Sequence, residues 1–354
     1  LYCELLPKYA TENADLVDLC DPNSQEYRYP AGHLPLPNRF ADFVARGLMR
    51  DDRRSIEYGR FATYNPYVHQ FEMLCHGYGL GENVLITSGT GSGKTESFML
   101  PLLASLLNEA QGWPAPQQAY NAGFWQLTDD DGIYIPNQRD GENREPALRS
   151  LLLYPMNALV ADQVSRLRKA LDSDDVRNFL DNNCNGNRIF FGSYNGKTLK
   201  KNDKAAEKLE NIKTQADRLQ NAFANGECDA DDIYVAPRLG DNSFTSEMLV
   251  REDMQACPPD ILITNVSMLS IILMRDKEQP MLDQTRDYYQ NNPGAVFHLI
   301  VDELHLHRGT AGAEVAYLLR MFLNRIGVPP MRNGRRNPQL RIYASSASIE
   351  NNAQ

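Results

Sequence analysis

Between residues 83 and 344, short apolar runs alternate with stretches whose apolar side chains recur every three or four positions. The first pattern predicts strands and the second amphipathic helices. Their alternation predicts an α/β domain, a parallel sheet flanked by helices. The strand-like runs fall at 83–87, 150–154, 188–191, 261–264, 297–301 and 339–344. Residues 150–154 form a continuous apolar run, as a strand covered on both faces requires. Val160, Val164, Leu167 and Leu171 share one face of the helix that follows. Val315, Leu318, Leu319, Phe322 and Leu323 make a stripe on another helix that must meet a core.

Three stretches break this rhythm. Residues 1–60 are rich in proline and aromatic side chains, are loop-like at 30–37, and lack a clean period. They read as an N-terminal lead-in segment packed against whatever precedes it. Residues 111–146 are polar, acidic at 129–131, and read as an inserted surface loop. Residues 197–255 read as a second insertion. Within it Leu209, Ile212, Ala216, Leu219 and Phe223 lie at helical spacing in a Lys/Glu-rich stretch, which predicts an added helix with a solvated charged face. The expected organisation is a lead-in over 1–60 and one domain over 61–354 carrying the two insertions.

Two motifs in this frame carry chemistry. Residues 88–95, Ser-Gly-Thr-Gly-Ser-Gly-Lys-Thr, follow a predicted strand and open a predicted helix, the context a phosphate-binding loop needs. Backbone amides of Thr90, Gly91, Ser92 and Gly93, and the positive end of the helix behind them, suit a polyphosphate. Lys94 can reach the β- and γ-phosphates, Thr95 can ligate magnesium, and Glu96 lies in the same first turn. The second motif closes an apolar strand with two adjacent carboxylates. Asp302 suits a magnesium ligand and Glu303 the group that orients an attacking water. Both would emerge where α/β sheets bind ligands. His305 and His307 invite a metal reading, but no third imidazole or thiol lies at ligand spacing.

Taken with their order, these residues resemble the superfamily 2 DEAD/DEAH-like helicases. Residues 88–95 are similar to motif I, and Asp302-Glu303-Leu304-His305 to the DExH form of motif II. The resemblance implies a RecA-like P-loop NTPase domain that uses ATP and Mg2+, with Lys94, Asp302 and Glu303 catalytic. Tyr67-Val68-His69-Gln70 resembles the Q motif, which makes Gln70 the expected reader of the adenine edge. Pro155 and Asn157 stand where motif Ia lies, and Thr264 and Asn265 where motif Ib does, both expected to hold a nucleic-acid backbone. Ser346-Ala347-Ser348 is similar to motif III, a serine replacing the final threonine. Ser346 and Ser348, with His305, are the expected couplers between nucleotide and motor. Residues 194–198 resemble a Tyr-x-Gly-x-Thr element, placing Tyr194 and Gly196 near the nucleic-acid path; an ordinary Asn-Gly turn fits them equally well. With Arg308-Gly309 after motif II, this points to the Hrq-type helicases with a C-terminal domain of unknown function. That group includes DNA-repair helicases and the large helicase subunits of anti-phage systems such as DISARM and Druantia. The implied partners are a nucleic acid, DNA by subfamily, and a second RecA-like domain of the parent chain that is absent from this one. Other subunits of a defence complex are further candidates. Alone, the segment is expected to bind nucleotide weakly and hydrolyse it slowly.

Charge and composition adjust this picture. A formal net charge of −10 over 354 residues excludes a broad basic coat for nucleic acid but not a grip through loops and amides. No run of about 18 apolar residues is present to span a membrane. Cys3, Cys20, Cys75, Cys184, Cys228 and Cys257 form no CxxC pair, which suits free thiols in a reducing cytoplasm. The chain begins at Leu1 without a signal-peptide pattern and reads as a segment of a longer cytoplasmic protein. Two other functions stay open at this point: a nucleic-acid-stimulated ATPase that senses without unwinding, and an ATP-gated scaffold in a defence complex.

Overall fold

Along one central strand, Leu151 and Leu153 enter one hydrophobic cluster while Leu152 and Tyr154 enter another on the opposite face. A strand that is apolar on both sides has to be sandwiched, and the fold follows from that. The computed structural model describes residues 9–51, 61–87, 89, 92–155, 157–201, 204–239 and 244–347. Its strands are β1 Val84–Thr87, β2 Ser150–Tyr154, β3 Phe191–Tyr194, β4 Glu247–Met248, β5 Ile261–Asn265, β6 Phe297–Val301, β7 Met331–Arg332, β8 Arg335–Arg336 and β9 Leu340–Ser346. The α-helices are α1 Leu16–Cys20, α2 Phe40–Ala45, α3 Val68–Met73, α4 Lys94–Ala110, α5 Asn157–Asp172, α6 Asp174–Asn183, α7 Ala205–Ala224, α8 Arg251–Ala256, α9 Val266–Met274, α10 Gln279–Asn291 and α11 Gly309–Arg325.

Seven strands form one sheet in the order β1-β9-β6-β2-β5-β3-β4, every neighbouring pair parallel. β7 and β8 make a separate antiparallel hairpin. α4, α5 and α6 cover one face of the sheet, and α8, α9, α10 and α11 contribute to the core on the other. This is an α/β architecture with a parallel sheet between helical layers, as the alternation of patterns predicts.

Three stretches add to or adjust their sequence reading. The described part of the lead-in packs on the domain: Leu16, Leu19, Phe40, Phe43, Val44 and Met49 are buried in the same cluster as α4. Residues 111–146 are a surface loop only in part, with the acidic run at 129–131 exposed. Phe124, Trp125 and Tyr134 are at most 1% exposed, in the cluster that α8–α11 complete. Some polar residues of this stretch are buried with partners: Asp253 of α8 accepts from Tyr134 Oη at 2.8 Å and Asn137 N at 2.9 Å, and Gln138 Nε2 donates to the Thr245 and Glu247 carbonyls. β3 lies three residues later than the apolar run suggests. Gly192 within it sits in a tight space, where a Cβ would meet Met254 Sδ at 2.6 Å and the Met248 carbonyl at 3.1 Å. In the added helix α7, Leu209 and Ala216 are buried while Phe223 stays exposed.

The end of the sheet away from the motifs is tied by one buried acid. Asp260, just ahead of β5, accepts from Arg144 at 2.6 and 2.7 Å, Arg149 at 2.9 Å and the Phe190 amide at 2.8 Å. Burial alone would raise its pKa, but Arg144 and then Arg149 outweigh that and hold it at about 2. A depressed carboxylate stabilises the fold above its unfolded pKa of about 3.9, and that stabilisation is lost as pH falls through the folded value. Replacing Asp260 with Asn is expected to cost about 3 kcal/mol at neutral pH by removing the carboxylate that two buried guanidinium groups share, leaving Arg144 with Glu142 and Arg149 with Glu109 as acidic partners. Thermal melts of both forms should converge as pH drops from about 4 to about 2. A gap that persists at the acid end would show that Asp260 is not the group titrating.

Candidate active site

Because the sheet is parallel, β1, β2, β3, β5, β6 and β9 all end on the same edge, where an open α/β sheet binds its ligands. The residues with candidate chemistry are gathered there. Among the motif residues, Ser88, Thr90, Gly91 and Ser348 lie outside the described residues.

The loop after β1 is braced from α3. His69 Nε2 lies 2.9 Å from the Ser92 carbonyl, and Gln70 Nε2 donates to the Gly93 carbonyl at 3.0 Å. Ser92 Oγ donates to the Gly89 carbonyl at 2.9 Å. Gly93 caps α4 at φ +69°, and a side chain there would collide with the Gln70 amide, so both conformation and space demand glycine. Gln70 lies beside the loop, where its expected role would place it. Its Oε1 already accepts from Tyr67 N at 2.9 Å, so both ends of its buried amide are engaged in capping α3 and holding the loop.

Beyond Gly93 the first turn of α4 faces the end of β6. Lys94 Nζ lies 3.1 Å from Glu303 Oε1, which joins the loop to the acidic pair. Thr95 is largely buried, and its Oγ1 accepts from Gln163 Nε2 of α5 at 3.1 Å. Glu96 pairs with Arg166, also on α5.

The acidic pair is built by strand register. Val301 pairs with Ala344, so Asp302 and Ser345 follow side by side. Ser345 Oγ donates to Asp302 Oδ1, and the Glu303 amide donates to Asp302 Oδ1 at 3.0 Å and to Ser345 Oγ at 3.3 Å. Glu303 sits at φ +51°, a left-handed conformation that costs a non-glycine residue about 1–2 kcal/mol. That turn carries two consecutive carboxylates out of the sheet on the ligand side. Burial pushes the Asp302 carboxyl above the usual range; the Ser345 hydrogen bond opposes this and the neighbouring Glu303 adds to it. A divalent cation at Asp302 would favour the charged form. Among the described residues no three His, Cys, Asp or Glu side chains gather as a metal cage. Thr95 and Asp302 instead offer one hydroxyl and one carboxylate, hard oxygens that suit a magnesium ion completed by water and phosphate.

His305 Nδ1 lies 3.3 Å from Ala347 N and 3.2 Å from Glu303 Oε2. With Nδ1 bare the ring accepts from Ala347 N, and with Nδ1 carrying its hydrogen it faces Glu303 Oε2. His305 therefore bridges the acidic pair and the end of β9, where Ser346 is buried.

The expected nucleic-acid contacts divide. Pro155 is half-buried at the end of β2, Asn157 opens α5, Gly196 is exposed after β3, and Asn265 is half-buried and caps α9 by accepting from Met268 N at 2.8 Å. Tyr194 and Thr264 do not present their side chains. Tyr194 is fully buried, its hydroxyl donating to Glu278 at 2.8 Å and accepting from Gln255 at 2.8 Å. Thr264 is fully buried and donates to the Tyr194 carbonyl at 2.7 Å. Both are strand-end residues whose polar groups close the sheet internally, so neither offers a side chain to a backbone phosphate. Sequence reading missed Ser345 and Gln163. The run Ser345-Ser346-Ala347-Ser348 holds one more hydroxyl than the motif uses, and Gln163 sits one position before the buried Val164, where a polar residue needs a partner.

Residues 69–230 match the model of the DEAD/DEAH box helicase family. That match takes in the phosphate loop and Gln163 and ends before the acidic pair. A curated relative, Druantia protein DruE of Escherichia coli (strain UMEA 4076-1), is 28% identical over 361 residues, spanning 90% of this chain and 17% of that protein. Two solved structures of the DUF1998 helicase MrfA, one of them bound to DNA and AMPPNP, are each 18% identical. They have TM-scores of 0.45 and 0.44, and the overlap covers 89% and 91% of this chain and 27% and 30% of theirs. Among the described residues no helix is long and apolar enough to cross a membrane.

Ser345→Ala removes the donor to Asp302 and the acceptor for the Glu303 amide without enlarging any side chain. Magnesium-dependent binding of an ATP analogue to the longest natural chain containing this segment should weaken about 10- to 100-fold, as losses of supporting hydrogen bonds at metal sites do. The melting temperature should move little. Unchanged binding would remove Ser345 from the site.

Proposed function

We propose that this chain is the first motor domain of an ATP-driven DNA helicase or translocase that works in anti-phage defence or DNA repair. The observation that carries the reading is the contact of Lys94 with Glu303 at 3.1 Å, which brings the phosphate loop and the acidic pair into one site. The likeness to Druantia protein DruE over 90% of the chain supports the defence branch. DNA as the substrate follows from the resemblance to Hrq-type helicases around Tyr194-Asn195-Gly196-Lys197-Thr198.

In this mechanism ATP lies along the loop at 89–95, with the second RecA-like domain of the parent chain closing over it. Lys94 leaves Glu303 for the β- and γ-phosphates, and the Glu303 carboxylate is freed to orient a water and accept its proton. The water oxygen attacks the γ-phosphorus, and the bond to the β,γ-bridging oxygen breaks, leaving ADP and phosphate. Magnesium, held by Thr95 and Asp302, would neutralise charge on the phosphates. His305 and Ser346, at the end of β9, relay the change in the acidic pair. Pro155, Asn157, Gly196 and Asn265, at the ends of β2, β3 and β5, lie along the same edge and form the path for a nucleic-acid backbone.

The test is ATP hydrolysis by the longest natural chain containing this segment, with and without single-stranded DNA. DNA should stimulate turnover. Lys94→Ala and Glu303→Gln should each lower it by about 10²-fold or more, the scale of losing a group that acts on the transition state. Only Glu303→Gln should still bind nucleotide. Turnover indifferent to DNA and RNA alike would end the motor reading.

A further inference from the structure

One face of α5 holds two consecutive residues of the nucleotide-binding turn. Gln163 Nε2 donates to Thr95 Oγ1 at 3.1 Å, while Arg166 pairs with Glu96 and braces itself on Asp162 at 3.2 Å. Gln163 and Arg166 are three residues apart, which places them as neighbours along the helix surface. Gln163 is only 5% exposed, so its amide is committed to this contact. Its Oε1 has no hydrogen-bond partner among the described residues, nor has Glu96 Oε2. Phosphate binding, metal ligation and water activation are accounted for by Lys94, Thr95, Asp302 and Glu303, and none of these roles requires a buried amide on α5.

A threonine in a helix divides between two χ1 rotamers, because its hydroxyl can turn back to a carbonyl of the preceding turn. Its oxygen has two lone pairs and one hydrogen. An N–H aimed at Oγ1 from α5 occupies one lone pair, selects one rotamer and leaves the other lone pair for a cation. We propose that Gln163 is a positioning residue that presets the Thr95 hydroxyl for magnesium and makes that setting depend on where α5 lies. α5 begins at Asn157, in the turn after Pro155 where the backbone of a nucleic acid is expected. A small displacement of the helix breaks a 3.1 Å hydrogen bond, so the loop that holds nucleic acid and the hydroxyl that holds the metal are linked by one side chain. The link to nucleic acid rests on the motor reading above; the effect on Thr95 does not.

Two variants test it in the longest natural chain containing this segment. Gln163→Met keeps the length and bulk of the side chain and removes the donor. Gln163→Asn keeps the amide but falls short of Thr95. The readout is binding of a ribose-labelled fluorescent ATP analogue, titrated with magnesium and repeated without it, in the presence and absence of single-stranded DNA. Both variants should need about tenfold more magnesium for half-maximal binding, within the range for groups that orient metal ligands. Metal-free binding should be unchanged, and DNA should shift the magnesium requirement less than in the natural chain. If Gln163→Met lowers the melting temperature sharply, Gln163→Asn decides the matter. An unchanged magnesium requirement in the folded variants overturns the proposal. If DNA fails to alter nucleotide binding even with Gln163 in place, the motor reading falls while the magnesium shift still judges Gln163.

Discussion

Everything at the active edge depends on the parallel register of β1, β9 and β6. Thr87 pairs with Ser346 and Val301 with Ala344, so the residues that follow each strand are delivered side by side. The same rule extends through β2, β5 and β3, where Tyr154 pairs with Asn265 and Tyr194 with Thr264. A one-residue slip in any of these pairs would turn every side chain of that strand to the other face. Packing opposes that slip in β2, because Leu151 and Leu153 fit one cluster and Leu152 and Tyr154 the other. Core packing thus fixes polar geometry at a distance.

On that edge two features are held away from their relaxed state. Glu303 occupies a left-handed backbone conformation, and burial raises the Asp302 carboxyl above its usual range. Strain and desolvation of this kind persist only where surrounding contacts over-determine them. Here Ser345, the Glu303 amide and Lys94 supply those contacts. The Lys94–Glu303 contact satisfies two charges that the proposed chemistry uses separately, so polyphosphate would replace Glu303 as the partner of Lys94. The fold itself brings these charged groups together at one edge of the sheet.

The strands at 150–154 and 297–301 were legible to the residue because both faces of each are apolar. The phosphate loop and the acidic pair were legible because their residue types are chemically narrow. What escaped were polar residues with buried partners. Gln138, Arg144 and Asn137 read as surface in sequence, yet their hydrogen bonds to β4, Asp260 and Asp253 place them inside. Tyr194 and Thr264 looked like a path for nucleic acid for the same reason, since a hydroxyl does not reveal in sequence that it will bond inward. Gly192 and Ser193 gave no apolar signal, although Gly192 lies in a tight space beside Met254 and Met248. Ser345 and Gln163 act through other side chains, which only the packing of β9 on β6 and α5 on α4 brings within reach.

The central claim is that one sheet edge joins a nucleotide site to a nucleic-acid path. Its most direct measurement is the affinity of the longest natural chain containing this segment for fluorescein-labelled single-stranded DNA, with and without a non-hydrolysable ATP analogue and magnesium. The reciprocal titration is made on the same preparation. Coupled sites should change each other's affinity by one common factor of about 5–150 in both directions. DNA affinity that ignores the nucleotide, with nucleotide bound and the chain folded, would contradict the account.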